Sequence, residues 1–118
     1  MPELSSTILL LFGAYLVGSI PVAFIVVKLT QGGDLRQMGS SNIGAMNAYE
    51  VTDSRLLGTA IGVLDAVKGI AAVTLLPLAF GHSSHLFLLQ ATALIGVVAG
   101  HNYNLWLSIS SGALEGGK

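Results

Sequence analysis

Asp65 and Lys68 stand three positions apart in a stretch, Leu56 to Phe80, that otherwise carries no charge. At helical spacing the two share a face. Two compatible readings follow. They neutralise each other, or Lys68 holds an anion in a water-filled cavity while Asp65 orients it. A helical side chain leans toward its helix N-terminus, so Lys68 reaches back toward the segment before Leu56. That segment contains "GGDLRQMGSSNIGAMN", Gly32 to Asn47. Glycines let successive backbone N–H groups converge on a phosphate. Ser40, Ser41, Asn42 and Asn47 add side-chain donors, and Arg36 and Lys68 add positive charge. The stretch reads as an anion cradle or, more plainly, as a flexible turn. It is not a Walker A loop, because no Gly-Lys-Ser or Gly-Lys-Thr follows. A third polar group is His101 with Asn102, Tyr103 and Asn104, read as an interfacial cluster or as part of a site. "GGK", Gly116 to Lys118, reads as a second, weaker anion loop.

These residues need elements to position them. Of the 118 residues, 53% are hydrophobic and 9% are charged, whereas soluble domains carry about 25% charged residues. So few charges cannot cover a soluble surface, and the expected solvent is a bilayer. The net charge of −1 gives nucleic-acid binding no support, so no such partner is expected. The absence of cysteine excludes disulfides, thiolate metal sites and a cysteine nucleophile.

Three apolar spans are expected to be transmembrane helices: Thr7 to Leu29, Leu56 to Phe80 and Leu86 to Trp106. Each has the roughly 20 residues that cross ~30 Å of hydrocarbon. Pro21 and Pro77 should bend their helices. A cleaved signal peptide does not fit the first span, which lacks a basic leader and is too long. Core helices of a soluble protein do not fit either, because too little polar chain remains to surround them. Ala14 and Gly18, Gly58 and Gly62, and Gly96 and Gly100 are small pairs four apart, which let helices approach closely. Lys28, Arg36 and Arg55 flank the first loop, while "GHSSH", Gly81 to His85, has no Lys or Arg. The first loop and the C-terminus are therefore expected in the cytoplasm, and the N-terminus outside. The fold expected is all-α: one polytopic membrane domain over residues 1–118, with a glycine-rich cytoplasmic loop between its first two helices. Its polar residues suit assembly with further C-terminal helices or with other copies of the chain.

Taken together, "GSIP" (Gly18 to Pro21), "GGDLRQMGSSNIGAMN", "VLDAVKG" (Val63 to Gly69), "GHNYNLW" (Gly100 to Trp106) and the final "GGK" resemble one family. It is the bacterial integral-membrane glycerol-3-phosphate acyltransferases that use acyl phosphate. The matching patterns are approximately G-x-D-x-R-x-x-G-S-G-N-x-G-A-T-N, V-x-x-x-D-x-x-K-G, and G-H-x-x-P followed by K-G-G-K-G. The resemblance covers nearly all of this chain but only the first half of the family's usual length. It implies transfer of a fatty acyl group from acyl phosphate to glycerol 3-phosphate at the inner membrane, giving lysophosphatidic acid and phosphate. Acyl phosphate is already activated, so neither a metal nor another cofactor is implied. By position, Gly39, Ser40, Asn42, Gly44, Ala45 and Asn47 would line the phosphate and acyl-phosphate site, with Arg36 in support. Asp65, Lys68, His101 and Lys118 would complete it, and Ser40, Lys68 and His101 are the catalytic candidates. Ser41, Met46, Glu50, Asn104 and Glu115 depart from the pattern, where it has Gly, Thr, Arg, Pro and a basic residue. The competing readings are a noncatalytic or truncated relative, and a small transporter or channel subunit using Asp65, Lys68 and His101 as an ion path.

Overall fold

The computed structural model describes residues 4–80, 85–104, 106 and 115–116. Five helices dominate: α1 Leu4–Gly18, α2 Val22–Gln31, α3 Ala45–Thr52, α4 Arg55–Phe80 and α5 Leu86–Asn102. A 3-10 turn, Leu35–Gln37, lies between α2 and α3. A two-residue strand, β1 (Tyr103–Asn104), pairs antiparallel with β2 (Glu115–Gly116).

The first apolar span is broken rather than bent. α1 stops at Gly18 and α2 starts at Val22, with Pro21 outside the helix at φ −86° and ψ 77°. Proline has no N–H and disfavours helical backbone before it, so the α1 ladder runs out at the joint, with Ser19 N–H on the Tyr15 carbonyl and Ile20 N–H on the Val17 carbonyl. α4, by contrast, continues through Pro77 to Phe80 as one helix.

The break divides the packing. α1 packs on α5 around Leu10, Ala14, Leu89 and Ala93, with Val73 and Leu76 of α4 at the edge. α2 belongs to a second core of Ala23, Val27, Leu35, Ala48 and Ile61, shared with the 3-10 turn, α3 and α4. The joint at Ser19–Pro21 therefore lies where two small cores meet.

The α1–α5 seam depends on glycine. A methyl on Gly18 would run into the Val97 carbonyl, one on Gly96 would approach the Ala14 methyl to 2.8 Å, and one on Gly100 would run into the Tyr15 carbonyl. Gly58 makes a similar close approach to Tyr49 of α3, whereas nothing described comes within 4 Å of a methyl at Gly62.

Large apolar side chains also point outward. Ile8, Leu9 and Phe12 of α1, Val63, Val67, Ile70 and Leu78 of α4, and Phe87, Leu94 and Ile95 of α5 are all exposed. Helices that are apolar all round suit lipid or further protein, not water. Among the described residues, Leu4–Gln31, counted across the break, and Arg55–Ala79 are long and apolar enough to cross a membrane. This is compatible with an all-α membrane protein. α5 has 17 residues, or about 26 Å at 1.5 Å per residue. It stops short of the expected Trp106 because Tyr103 and Asn104 leave the helix to pair with β2.

Candidate active site

At the joint, Val22 N–H turns back to the Ile20 carbonyl at 3.0 Å, and Ile25 N–H restarts the ladder on the Pro21 carbonyl. Two carbonyls then take side-chain donors from other elements. Asn104 Nδ2 donates to the Ser19 oxygen, and Lys68 Nζ donates to the Ile20 oxygen at 2.8 Å.

Lys68 is the centre of the site. Its ammonium lies 3.0 Å from Asp65 Oδ1 and 3.2 Å from His101 Nδ1. His101 Nδ1 is 3.9 Å from the same carboxylate oxygen. The side chains of Lys68 and Asp65 are only 10% and 17% exposed, so both charges sit where screening is weak. Asp65 Oδ1 is buried and has no aligned hydrogen-bond donor. The nearby ammonium balances its charge by proximity alone.

With Lys68 as an ammonium, which can only donate, Nδ1 accepts and the ring proton is assigned to Nε2. His101 therefore offers a donor on its free edge while Lys68 stays in place. It can act as a base through Nδ1 only when Lys68 turns away.

Two cavities adjoin the triad. A pocket of ≈ 10 Å³, lined by Ile20, Pro21, Ile43, Asp65, Lys68 and His101 among others, is about the size for one water. A larger, nearly apolar groove of ≈ 270 Å³ runs between α4 and α5, past Gly69, Val97 and Val98 to the same three polar side chains. Ile43 is the point at which the glycine-rich loop reaches the triad.

The loop is held by Asn47, which is 2% exposed. Its Oδ1 accepts from Ser40 N–H at 3.1 Å. Its Nδ2 donates to the Met38 carbonyl at 3.0 Å and to the Asn42 carbonyl at 2.7 Å. Ser41 N–H bonds to the Met38 carbonyl. Asn42 N–H reaches Ser40 Oγ at 3.4 Å, and Gly44 N–H donates to Asn42 Oδ1. Most amides of the expected cradle are thus turned into the loop's own framework. Ser40 and Ser41 are exposed, as is the loop's Gly39, and Asn42 is half-buried. Gly39 has φ +53°, and a methyl there would strike Asn47 Oδ1. Gly44 precedes α3 as its N-cap.

Ser41 also holds a left-handed conformation, φ +66°, where an L side chain costs about 1 kcal/mol. Ser41→Gly is expected to stabilise the loop by about 0.5–1 kcal/mol. Slower hydrogen exchange at the Asn42 and Gly44 amides would report it, and unchanged exchange would show that the serine is unstrained.

Other sequence candidates lie elsewhere. Arg36 pairs with Asp34 at 2.8 Å and stands 5.0 Å from the Phe24 ring. It lines a separate cavity with Ile20, Phe24, Lys28 and Trp106. Ala45 faces a further cavity with Tyr49 and Arg55. Lys118 is outside the described residues.

The Arg36 guanidinium, bonded to Asp34, holds that carboxyl below the usual carboxylate range. A depressed folded value adds stability above the unfolded pKa, and that stability is lost as pH falls through the folded one. The Arg36 amide, bonded to Asp34 Oδ1 at 2.9 Å, should therefore titrate by NMR with a midpoint below that of a free aspartate, and Asp34→Asn should abolish the step.

Sequence reasoning quoted Ser19 and Ile20 within "GSIP" but gave them no role, and it did not single out Tyr15, whose hydroxyl donates to the Tyr103 carbonyl at 2.6 Å. The available signal was Pro21: a proline inside an apolar span frees carbonyls that must find donors.

The family comparison bears on this arrangement. Residues 8–118, which include the loop, the triad and the joint, match the family model for glycerol-3-phosphate acyltransferase. The chain belongs to that family. Proteins named glycerol-3-phosphate acyltransferase are similar to it: 38% identical in Desulforamulus reducens over 92% of this chain and 52% of the relative. The one from Gluconobacter oxydans is 39% identical over 89% of this chain and 49% of its own length. Another, from Sinorhizobium medicae, is 36% identical over 92% and 50%. The chain thus spans about half the length of the curated relatives it matches. No solved structure matches it.

Proposed function

We propose that this chain carries the N-terminal half of a site that transfers a fatty acyl group from acyl phosphate to glycerol 3-phosphate. The observation that carries this reading is the Lys68–Asp65–His101 cluster at a helix break beside an apolar groove. A cation with a poised imidazole suits a phosphate, and the ≈ 270 Å³ groove suits an alkyl chain. The glycerol hydroxyl oxygen forms a bond to the acyl carbonyl carbon. The bond from that carbon to the phosphate oxygen breaks, and the hydroxyl proton leaves with the phosphate. Acyl phosphate is activated, so positioning and charge stabilisation carry the rate. Lys68 turns from the Ile20 carbonyl onto phosphate oxygens, while His101 holds the attacking hydroxyl. Ser40 and Asn42 present donors from the loop, and Asn47 keeps that loop in shape. The site lies at the inner face of a bacterial plasma membrane. α5 and the flanking residues form a third crossing, the N-terminus is outside, and the first loop and C-terminus are cytoplasmic.

The test is a chimera joining residues 1–118 to the C-terminal half of the Desulforamulus reducens relative, in vesicles with palmitoyl phosphate and radiolabelled glycerol 3-phosphate. Labelled lysophosphatidic acid is expected. Its absence, with the intact relative active in parallel, would overturn the reading.

A further inference from the structure

We propose that Asn104 is a positioning residue: its hold on the Ser19 carbonyl keeps two of the three partners of Lys68, the Ile20 carbonyl and His101, within reach of the ammonium. Asn104 is 1% exposed and Ser19 is fully buried. The Asn104 Nδ2–Ser19 oxygen bond joins residues 85 positions apart. Ser19 is followed by Ile20, whose carbonyl accepts from Lys68. Asn104 lies three residues after His101, whose Nδ1 accepts from the same ammonium. The contacts close a ring: Ser19, Ile20, Lys68, His101, Asn104 and back to Ser19.

The ring has a physical purpose. The Ile20 carbonyl is met by the Val22 N–H of a tight turn rather than by a helix ladder, and His101 is in the last turn of α5, where helices fray. Asn104 ties the end of α5 to the turn of the first span. The strand pairing of Asn104 with Glu115 and the Tyr15 bond to the Tyr103 carbonyl hold the tie from outside the ring. The tie's importance for acyl transfer rests on the function proposed above, but its geometry does not.

Asn104→Leu removes the donor at similar volume, and Asn104→Gln keeps a donor on a longer arm. In the purified chain in detergent micelles, two readouts follow the ring. One is the ¹⁵N signature of the His101 tautomer, and the other is the rate at which an amine-selective reagent modifies Lys68. With circular dichroism and thermal unfolding unchanged, a shift in either reports the ring rather than a loss of fold. Asn104→Leu is expected to keep its helical circular dichroism, to shift His101 from the Nε2–H form to a mixture, and to speed Lys68 modification about tenfold, the loss of one charge-assisted hydrogen bond. Asn104→Gln should recover part of both. If Asn104→Leu does not fold, Asn104→Ala, which removes the donor without adding bulk or charge, decides on the same readouts. An unchanged tautomer with a modification rate within about twofold of the parent would overturn the proposal. Neither readout requires turnover, so a failure of the acyltransfer reading would appear separately, in the chimera assay.

Discussion

Lys68→Met is expected to reduce acyl transfer by about a thousandfold, the scale of removing a positioned charge from a transition state. It should also destabilise the bundle by about 3–5 kcal/mol, because it leaves Asp65 buried without its counterion. Asp65 Oδ1 already lacks an aligned donor, so the ammonium at 3.0 Å is its main compensation. The stability loss alone does not separate a structural ion pair from a working cation. The double variant Asp65→Asn/Lys68→Met does. Replacing a buried pair with uncharged groups of similar size is often close to neutral, so thermal unfolding in detergent should return to near the parent. Activity should not return, because no cation remains to meet the phosphate. If the double variant regains acyl transfer in the chimera, Lys68 is a strut and the proposed anion site is wrong.

The apolar spans, the glycine-rich segment and the polar residues needed to find this cluster were legible because each rests on local chemistry. Asp65 and Lys68 were visible because charge in an apolar helix demands a partner. The spacing named each as a partner of the other but not the further partners of Lys68. The 3.0 Å contact to Asp65 is local, but those to Ile20 and His101 depend on how three helices pack. Asn47 was read as a donor to substrate because an asparagine in a glycine-rich loop has that capacity. Its burial under the loop, with its donors and acceptor engaged, comes from the fold of residues 38–47. Pro21 was read as a bend. The full break depended on side chains from α4 and β1 that could satisfy the freed carbonyls, and no local pattern announces them. Ser41 carried a legible warning, since the pattern that the sequence resembles has glycine there, and the positive φ is one that favours glycine.

Among the glycines, spacing alone could not rank the pairs, and the structure does so in a testable way. Gly100→Val is expected to force α1 and α5 apart, because even the first added carbon would strike the Tyr15 carbonyl and come within 2.8 Å of Ser19 N. These neighbours are backbone atoms, which cannot move aside as a flexible side chain can. Overpacking of this kind costs about 1–3 kcal/mol. The effect on the site should be larger than the stability loss suggests. Gly100 precedes His101 and faces Ser19, so separating the seam moves His101 away from Lys68 and the joint together. A misplacement of about 1 Å can cost a hundredfold in rate. Gly62→Ala is the control, since nothing described lies within 4 Å of its new methyl and alanine favours the helix by about 1 kcal/mol. Thermal unfolding and acyl transfer in the chimera should show Gly100→Val damaging both and Gly62→Ala sparing both. Equal damage from the two substitutions would mean that a further helix covers the open face of α4 as closely as α1 covers α5.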